Sequence, residues 1–129
     1  MNRVSNILII DDSVELLEVF EYFLKEAGYT VRTAKSVPSI IPEIISFKPD
    51  IILLDVKLNG YDGRDICKSL KGHEDTKHIP IILMSAYPNA LNNYAECLAD
   101  ETLEKPFNLA DVKRKIELVL QSKNSKELL

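Results

Sequence analysis

Three short aliphatic runs, at residues 7–10 (ILII), 51–54 (IILL) and 81–84 (IILM), constrain this chain more than any other feature. Each is too short for a helix and apolar at every position, as a strand must be when helices cover both faces of its sheet. The first run leads straight into Asp11 and Asp12, the second into Asp55, the third into Ser85. Pro80 stands near the start of the third, where its missing N–H costs no ladder bond.

The segments between the runs carry helical spacing. Leu16, Leu17, Phe20, Phe23, Leu24 and Ala27 form one stripe, starting beside Asp12 with Glu15 three residues on and stopping at Gly28. Tyr29, Val31 and Thr33 alternate as a short strand, and Ile40, Ile41, Ile44, Ile45 and Phe47 make a second stripe. Ser36 or Ser39 caps that helix, and Pro42, tolerated only in a first turn, favours the later start. A loop with Asn59, Gly60 and Gly63 leads to a helix carrying Ile66, Cys67 and Leu70, ended by Gly72. A shorter helix is predicted around Leu91, Tyr94, Ala95 and Leu98, then a weak polar edge strand over residues 101–104. Leu109, Val112, Ile116, Leu118, Val119 and Leu120 mark a terminal helix, with a fraying polar tail after Gln121. Five strands each followed by a helix predict an α/β fold, a doubly wound five-stranded parallel sheet, in a single domain over residues 1–129 with its core at about 5–121.

Composition excludes several functions. A net charge of −4 argues against a direct nucleic-acid contact, which draws on clustered Lys and Arg. No apolar run approaches the roughly 20 residues of a membrane span, and the N-terminus lacks the apolar core of a secretory signal, so the expected location is cytoplasmic. Cys67 and Cys97 have no CxxC partner and read as buried free thiols; His73 and His78 read as solvated loop residues.

In an open parallel sheet the carboxyl ends of the strands meet at one edge, where ligands bind. The residues gathered there are Asp11, Asp12, Asp55, Ser85 and, after the fifth strand, Lys105. Neither GxGxxG nor a P-loop is among them, so backbone amides cradle no dinucleotide or nucleoside triphosphate. Three carboxylates within about 5 Å repel by a few kcal/mol per pair at an effective dielectric near 20. A hard divalent cation relieves that repulsion, and an oxygen-only ligand set without histidine points to Mg²⁺. With that charge in place an aspartate can act as a nucleophile toward a phosphoryl group, whose oxygens Lys105 and Ser85 are suited to bind. Helix capping, strand termination and surface solvation explain each residue singly, but not five such groups at four strand ends.

The strings ILIIDDS at 7–13, DIILLDVKLNGYDG at 50–63, PIILMSA at 80–86 and LEKPF at 103–107 resemble the receiver domain of two-component response regulators over residues 5 to about 121. The resemblance implies a flavodoxin-like (βα)5 fold with strand order 2-1-3-4-5. It implies Asp55 as phosphoacceptor, taking a phosphoryl group from the phosphohistidine of a sensor histidine kinase or histidine phosphotransfer protein. It implies Mg²⁺ held by Asp12, Asp55 and the backbone carbonyl of Lys57, with Asp11 acting largely through water. Ser85 and Lys105 would bind phosphoryl oxygens, and the Lys105–Pro106 bond would be cis. The chain would then be a switch for partner binding, monomeric or dimerising on phosphorylation. It would be no enzyme beyond promoting its own phosphorylation and dephosphorylation, and its downstream target or fused output domain is not encoded in these strings.

Two departures stand out. Asn59 replaces a frequent proline, which is expected to make its loop more mobile, and Thr102 replaces the aromatic residue that commonly pairs with the hydroxyl at Ser85 in the switch. Tyr87 and Tyr94 are alternatives for that ring, though both read as ordinary half-buried tyrosines. The Lys57 side chain is expected to face solvent and tune phosphoryl lifetime. Among other readings, a phosphatase with an aspartyl nucleophile would need a second aspartate where Lys57 stands. A phosphate-independent receiver-like protein-binding module remains the alternative.

Overall fold

The protein is described by a computed structural model over residues 4–127. Its elements are β1 (Asn6–Ile10), α1 (Val14–Glu26), β2 (Thr30–Ala34), α2 (Ile40–Phe47), β3 (Ile51–Asp55), a two-residue pair β4 (Lys57–Leu58) and β5 (Tyr61–Asp62), α3 (Gly63–Lys71), β6 (Ile81–Ser85), β7 (Glu101–Glu104) and α4 (Leu109–Glu127). The main sheet is five-stranded and wholly parallel in the order β2-β1-β3-β6-β7. Counting only its own strands, this is the expected 2-1-3-4-5. The polar strand β7 lies at one edge, where one half of its hydrogen-bonding groups needs no strand partner.

The aliphatic runs form the centre, and every residue of 7–10, 51–54 and 81–84 is fully buried. Alternation along the strands divides the core in two. On β1, Leu8 and Ile10 face α2 and α3 with Ile44, Phe47, Cys67 and Leu70, whereas Ile7 and Ile9 face α1 and α4 with Phe20, Leu24, Val112 and Ile116. Burying two such layers supplies the main stabilisation of the fold.

Local signals set most boundaries. Helix α2 takes the later start, after a 3₁₀ turn at Val37–Ser39, with Pro42 inside its first turn. The cap of α1 is Ser13, whose Oγ accepts from the Leu16 N–H at 3.3 Å, and not the neighbouring Asp12. Asp12 is thereby left to the sheet edge.

Two expectations need correction. The helix predicted around Leu91–Leu98 is absent; two 3₁₀ turns, Pro88–Leu91 and Tyr94–Cys97, take its place. Asn89, Asn92 and Asn93 favour turns over helix interior, and Leu98 at φ 64° stops propagation. Of the residues in the expected stripe only Leu91 is buried, whereas Tyr94, Ala95 and Leu98 are exposed, and Cys97 and Ala99 enter the core instead. The terminal helix spans Leu109–Glu127. Finally, the loop at Asn59 is a hairpin: Lys57 pairs with Asp62 and Leu58 with Tyr61, around Asn59 (φ 34°) and Gly60 (φ 86°). Positive φ at both central residues is the I′ turn geometry that Asn-Gly favours.

Cys67 and Cys97 are free and buried. The Cys67 thiol donates to the Cys97 carbonyl at 3.3 Å, and burial pushes its pKa up to about 12. Neither thiol is expected to react with a soluble aromatic disulfide at pH 8 until denaturant is added. Rapid labelling of the native protein would contradict this packing.

Candidate functional site

Parallel pairing brings the strand ends to one edge. Asp55 closes β3 opposite Met84 of β6, Ser85 closes β6 opposite Glu104 of β7, and Lys105 follows directly. Asp11 follows β1, with its N–H on the Ala34 carbonyl of β2 at 3.1 Å. The close of each strand thus fixes the origin of one functional side chain.

Asp11, Asp12 and Asp55 each offer a carboxylate oxygen within 4.8 Å of the others. Asp11 is completely buried and Asp55 is 5% exposed, while Asp12 lies nearer the surface. Lys105 Nζ reaches Asp11 Oδ2 at 2.8 Å and Asp55 Oδ1 at 3.3 Å. One ammonium therefore serves two buried carboxylates. Burial raises the Asp55 pKa, and the Asp11 charge raises it further, against the lowering effect of Lys105. Burial tends to discharge Lys105, but its hydrogen bond and attraction to Asp11, followed by attraction to Asp55, outweigh this and raise its pKa. The lysine stays charged, and the acidic cluster keeps more negative charge than it can neutralise.

This donor set fits a hard cation. It consists of carboxylate oxygens, is open at Asp12 and closed behind Asp11, and carries the excess negative charge a divalent ion would offset. Lys57 begins the hairpin just beyond Asp55, with its side chain exposed. The Asn59 N–H donates to Asp12 Oδ2 at 3.3 Å. Proline at position 59 would lack that donor and could not adopt the positive φ, so Asn59 belongs to the support of Asp12.

Ser85 is buried, and its hydroxyl turns back on its own loop: Oγ accepts from the Tyr87 N–H at 2.9 Å and donates to the Tyr87 carbonyl at 3.2 Å. Thr102 lies on β7, where its N–H donates to Glu101 Oε1 at 2.9 Å and its carbonyl accepts from Lys115 Nζ at 2.5 Å. The Lys105–Pro106 bond is cis. Tyr87 is 59% and Tyr94 38% exposed, so each ring is partly covered and partly open to solvent.

The structure adds residues that sequence reasoning passed over. Gly63 N–H donates to the Val56 carbonyl at 2.6 Å, and an added Cβ would overlap the Asp55 carbonyl oxygen. Asp62 caps α3 through the Arg64 N–H at 2.9 Å and pairs with the Arg64 side chain at 2.7 Å. The Asn-Gly dipeptide was the available sign of the hairpin that carries these residues past Asp55; nothing in the local sequence distinguishes Gly63 from an ordinary loop glycine.

The profile of the response regulator receiver domain matches residues 7–117, nearly the span of the sheet and its helices. The chain belongs to this family. The receiver is 34% identical over 117 residues to the phosphate regulon transcriptional regulatory protein PhoB of Pseudomonas aeruginosa, covering 89% of this chain and 51% of that protein. To the alkaline phosphatase synthesis transcriptional regulatory protein PhoP of Bacillus subtilis it is 30% identical over 123 residues, covering 94% of this chain and 50% of that one. It thus spans about half the length of these curated relatives. A two-component response regulator from Clostridium difficile superposes with a TM-score of 0.82 at 28% identity, covering 91% of this receiver and 96% of that chain. The signal receiver domain of a signal transduction histidine kinase from Syntrophus aciditrophicus gives 0.83 at 28% identity, with 92% of each chain covered. No helix among the described residues is long and apolar enough to cross a membrane.

Proposed function

We propose that this receiver is a phosphorylation switch in which Asp55 accepts a phosphoryl group from a phosphohistidine. The observation that carries the reading is the buried Asp55 carboxylate standing 3.3 Å from Lys105 and within the three-aspartate cluster. One Asp55 oxygen attacks phosphorus; the new P–O bond forms as the P–N bond to imidazole breaks, and the imidazole nitrogen keeps the electron pair. Lys105, already charged, is placed to bind a phosphoryl oxygen as negative charge redistributes. Ser85 supplies a second donor once its hydroxyl leaves Tyr87.

Asp11, Asp12, Asp55 and the backbone carbonyl of Lys57 are the groups to hold Mg²⁺. A bound Mg²⁺ supplies the positive charge needed to bring an anionic phosphoryl group to a cluster of carboxylates. The protein's own part is to hold Asp55 in line and to keep Lys105 charged beside it. The switch acts in the cytoplasm, receives its phosphoryl group from a sensor histidine kinase or phosphotransfer protein, and turns over no external substrate. Its target is a separate protein or a fused output domain of the kind that the transcriptional regulators PhoB and PhoP suggest.

Intact-mass measurement after incubation with acetyl phosphate tests the reading directly. The expected result is one phosphoryl adduct in the presence of Mg²⁺, lost on chelation of the metal. Folded protein that takes up no phosphoryl group with Mg²⁺ present would overturn it and favour phosphate-independent binding.

A further inference from the structure

The tip of the β4–β5 hairpin carries a reactive pair that the phosphoryl chemistry leaves unused. Of the eight asparagines in the chain, Asn59 is the one followed by glycine. Both residues are exposed, and among the described residues no group bonds the Asn59 carboxamide or the Gly60 N–H. Asn59 is still tied to the acidic cluster through its own N–H, 3.3 Å from Asp12 Oδ2. Asp62–Gly63, a comparable pair, is closed to the same chemistry. There the Arg64 guanidinium holds the Asp62 carboxylate at 2.7 Å, and the Gly63 N–H is spent on the Val56 carbonyl at 2.6 Å.

We propose that Asn59–Gly60 is a site of spontaneous deamidation, which replaces a neutral carboxamide by a carboxylate on the rim of the three-aspartate cluster. The Gly60 nitrogen gives its proton to solvent base and attacks Asn59 Cγ. A C–N bond forms, the Cγ–Nδ2 bond breaks, and ammonia leaves with a proton taken from water. Water then opens the five-membered imide. Cleavage at Cγ gives aspartate in the ordinary chain; cleavage at the main-chain carbonyl gives isoaspartate, with Gly60 joined through the former side chain. Neither step needs an oxidant, a metal or an enzyme.

The turn sets the rate. Asn59 at φ 34° and Gly60 at φ 86° form the I′ arrangement, in which the Gly60 N–H points away from the Asn59 side chain. Rotating the peptide group between the two residues turns I′ into II′ and takes ψ of the first from about +30° to about −120°. The Cα positions barely change, so the pairs Leu58–Tyr61 and Lys57–Asp62 stay in register. At that ψ the glycine nitrogen stands on the same side as Cβ, where it meets Cγ. Glycine takes the new φ freely, whereas asparagine at positive φ does not take the new ψ freely. The reactive turn is accordingly populated in roughly one molecule in ten to one in a hundred. The Asn59 N–H belongs to the preceding peptide group, so its bond to Asp12 survives the rotation. The carboxylate therefore forms beside Asp12, and added negative charge there favours a divalent cation.

Peptide mapping of the folded protein kept at pH 8 for several weeks tests the site. The expected result is a gain of about 1 Da in the tryptic fragment 58–64, with isoaspartate detected by enzymatic methyl transfer and no comparable gain at another asparagine. In urea the same fragment should convert about ten- to a hundredfold faster, because the unfolded chain needs no rotation within a closed turn. Conversion in urea alone, or earlier conversion of another asparagine in the folded protein, overturns the site. The charge effect rests on the metal reading above and is read separately, by Mg²⁺ titration followed through amide chemical shifts. Asn59→Asp should bind about threefold more tightly than the unsubstituted protein at low ionic strength. Equal affinities overturn the link to the cluster alone. Absence of Mg²⁺ binding in both proteins overturns that link together with the metal reading.

Discussion

Asp55→Asn is expected to take up no phosphoryl group from acetyl phosphate, with or without Mg²⁺, while melting a few degrees above the unsubstituted protein when no metal is present. The first effect follows from chemistry: a carboxamide oxygen lacks the full negative charge of the attacking carboxylate, and no other residue in the site replaces it at the end of β3. Asp11 is fully buried with its Oδ2 on Lys105 at 2.8 Å, and Asp12 is engaged by the Asn59 N–H, so neither is a ready substitute nucleophile. The second effect follows from linkage. Burial and then Asp11 raise the Asp55 pKa, so its ionised form costs the folded state above the ordinary carboxylate range, and the cost fades as pH falls through the raised value. An uncharged amide removes that cost, a change on the scale of roughly 1 kcal/mol or a few degrees in a chain of this size. Lys105 loses one charged partner but retains Asp11. Scanning calorimetry from neutral to acidic pH should show the variant's advantage shrinking on acidification, and an adduct of undiminished yield would remove Asp55 from the role assigned to it.

The parts of this molecule legible in its sequence are those governed by burial. A run such as IILL at 51–54 admits few environments, and its place at the sheet centre follows from that; so does the convergence of Asp11, Asp55 and Lys105 once the strands are known to be parallel. What periodicity could not supply was backbone conformation where packing and propensity diverge. Leu91 is a core residue, but Tyr94, Ala95 and Leu98 at helical spacing from it are exposed, and the asparagines at 92 and 93 leave 3₁₀ turns in place of an α-helix. The same holds for hydrogen bonds made by the main chain: that the Asn59 N–H supports Asp12, or that Ser85 is engaged by Tyr87, depends on turn geometry that residue identity only suggests. Asn-Gly at 59–60 did encode its turn, through the tolerance of both residues for positive φ.

Gly63→Ala should damage both the fold and the site, with a loss of about 2–4 kcal/mol in urea unfolding, the range of severe overpacking against backbone. Its Cβ would overlap the Asp55 carbonyl oxygen and fall 2.9 Å from both the Asp55 carbonyl carbon and the Val56 Cα. All three are main-chain atoms, so no rotamer change relieves the clash. Either α3 withdraws, breaking the 2.6 Å bond from the Gly63 N–H to the Val56 carbonyl, or the end of β3 moves and takes Asp55 with it. The second route misplaces the carboxylate relative to Lys105, and phosphorylation by acetyl phosphate should slow roughly tenfold or more, because transfer depends on alignment. Gly72→Ala provides the contrast. Gly72 caps the other end of α3 at φ −88°, and its added Cβ meets nothing nearer than the Lys68 carbonyl oxygen at 3.4 Å. That substitution should change stability by no more than about 0.5 kcal/mol and leave phosphorylation unaltered. Equal behaviour of the two variants would mean that the approach of α3 to β3 does not position the phosphoacceptor. A loss confined to Gly63→Ala would identify that approach as what holds Asp55 in place.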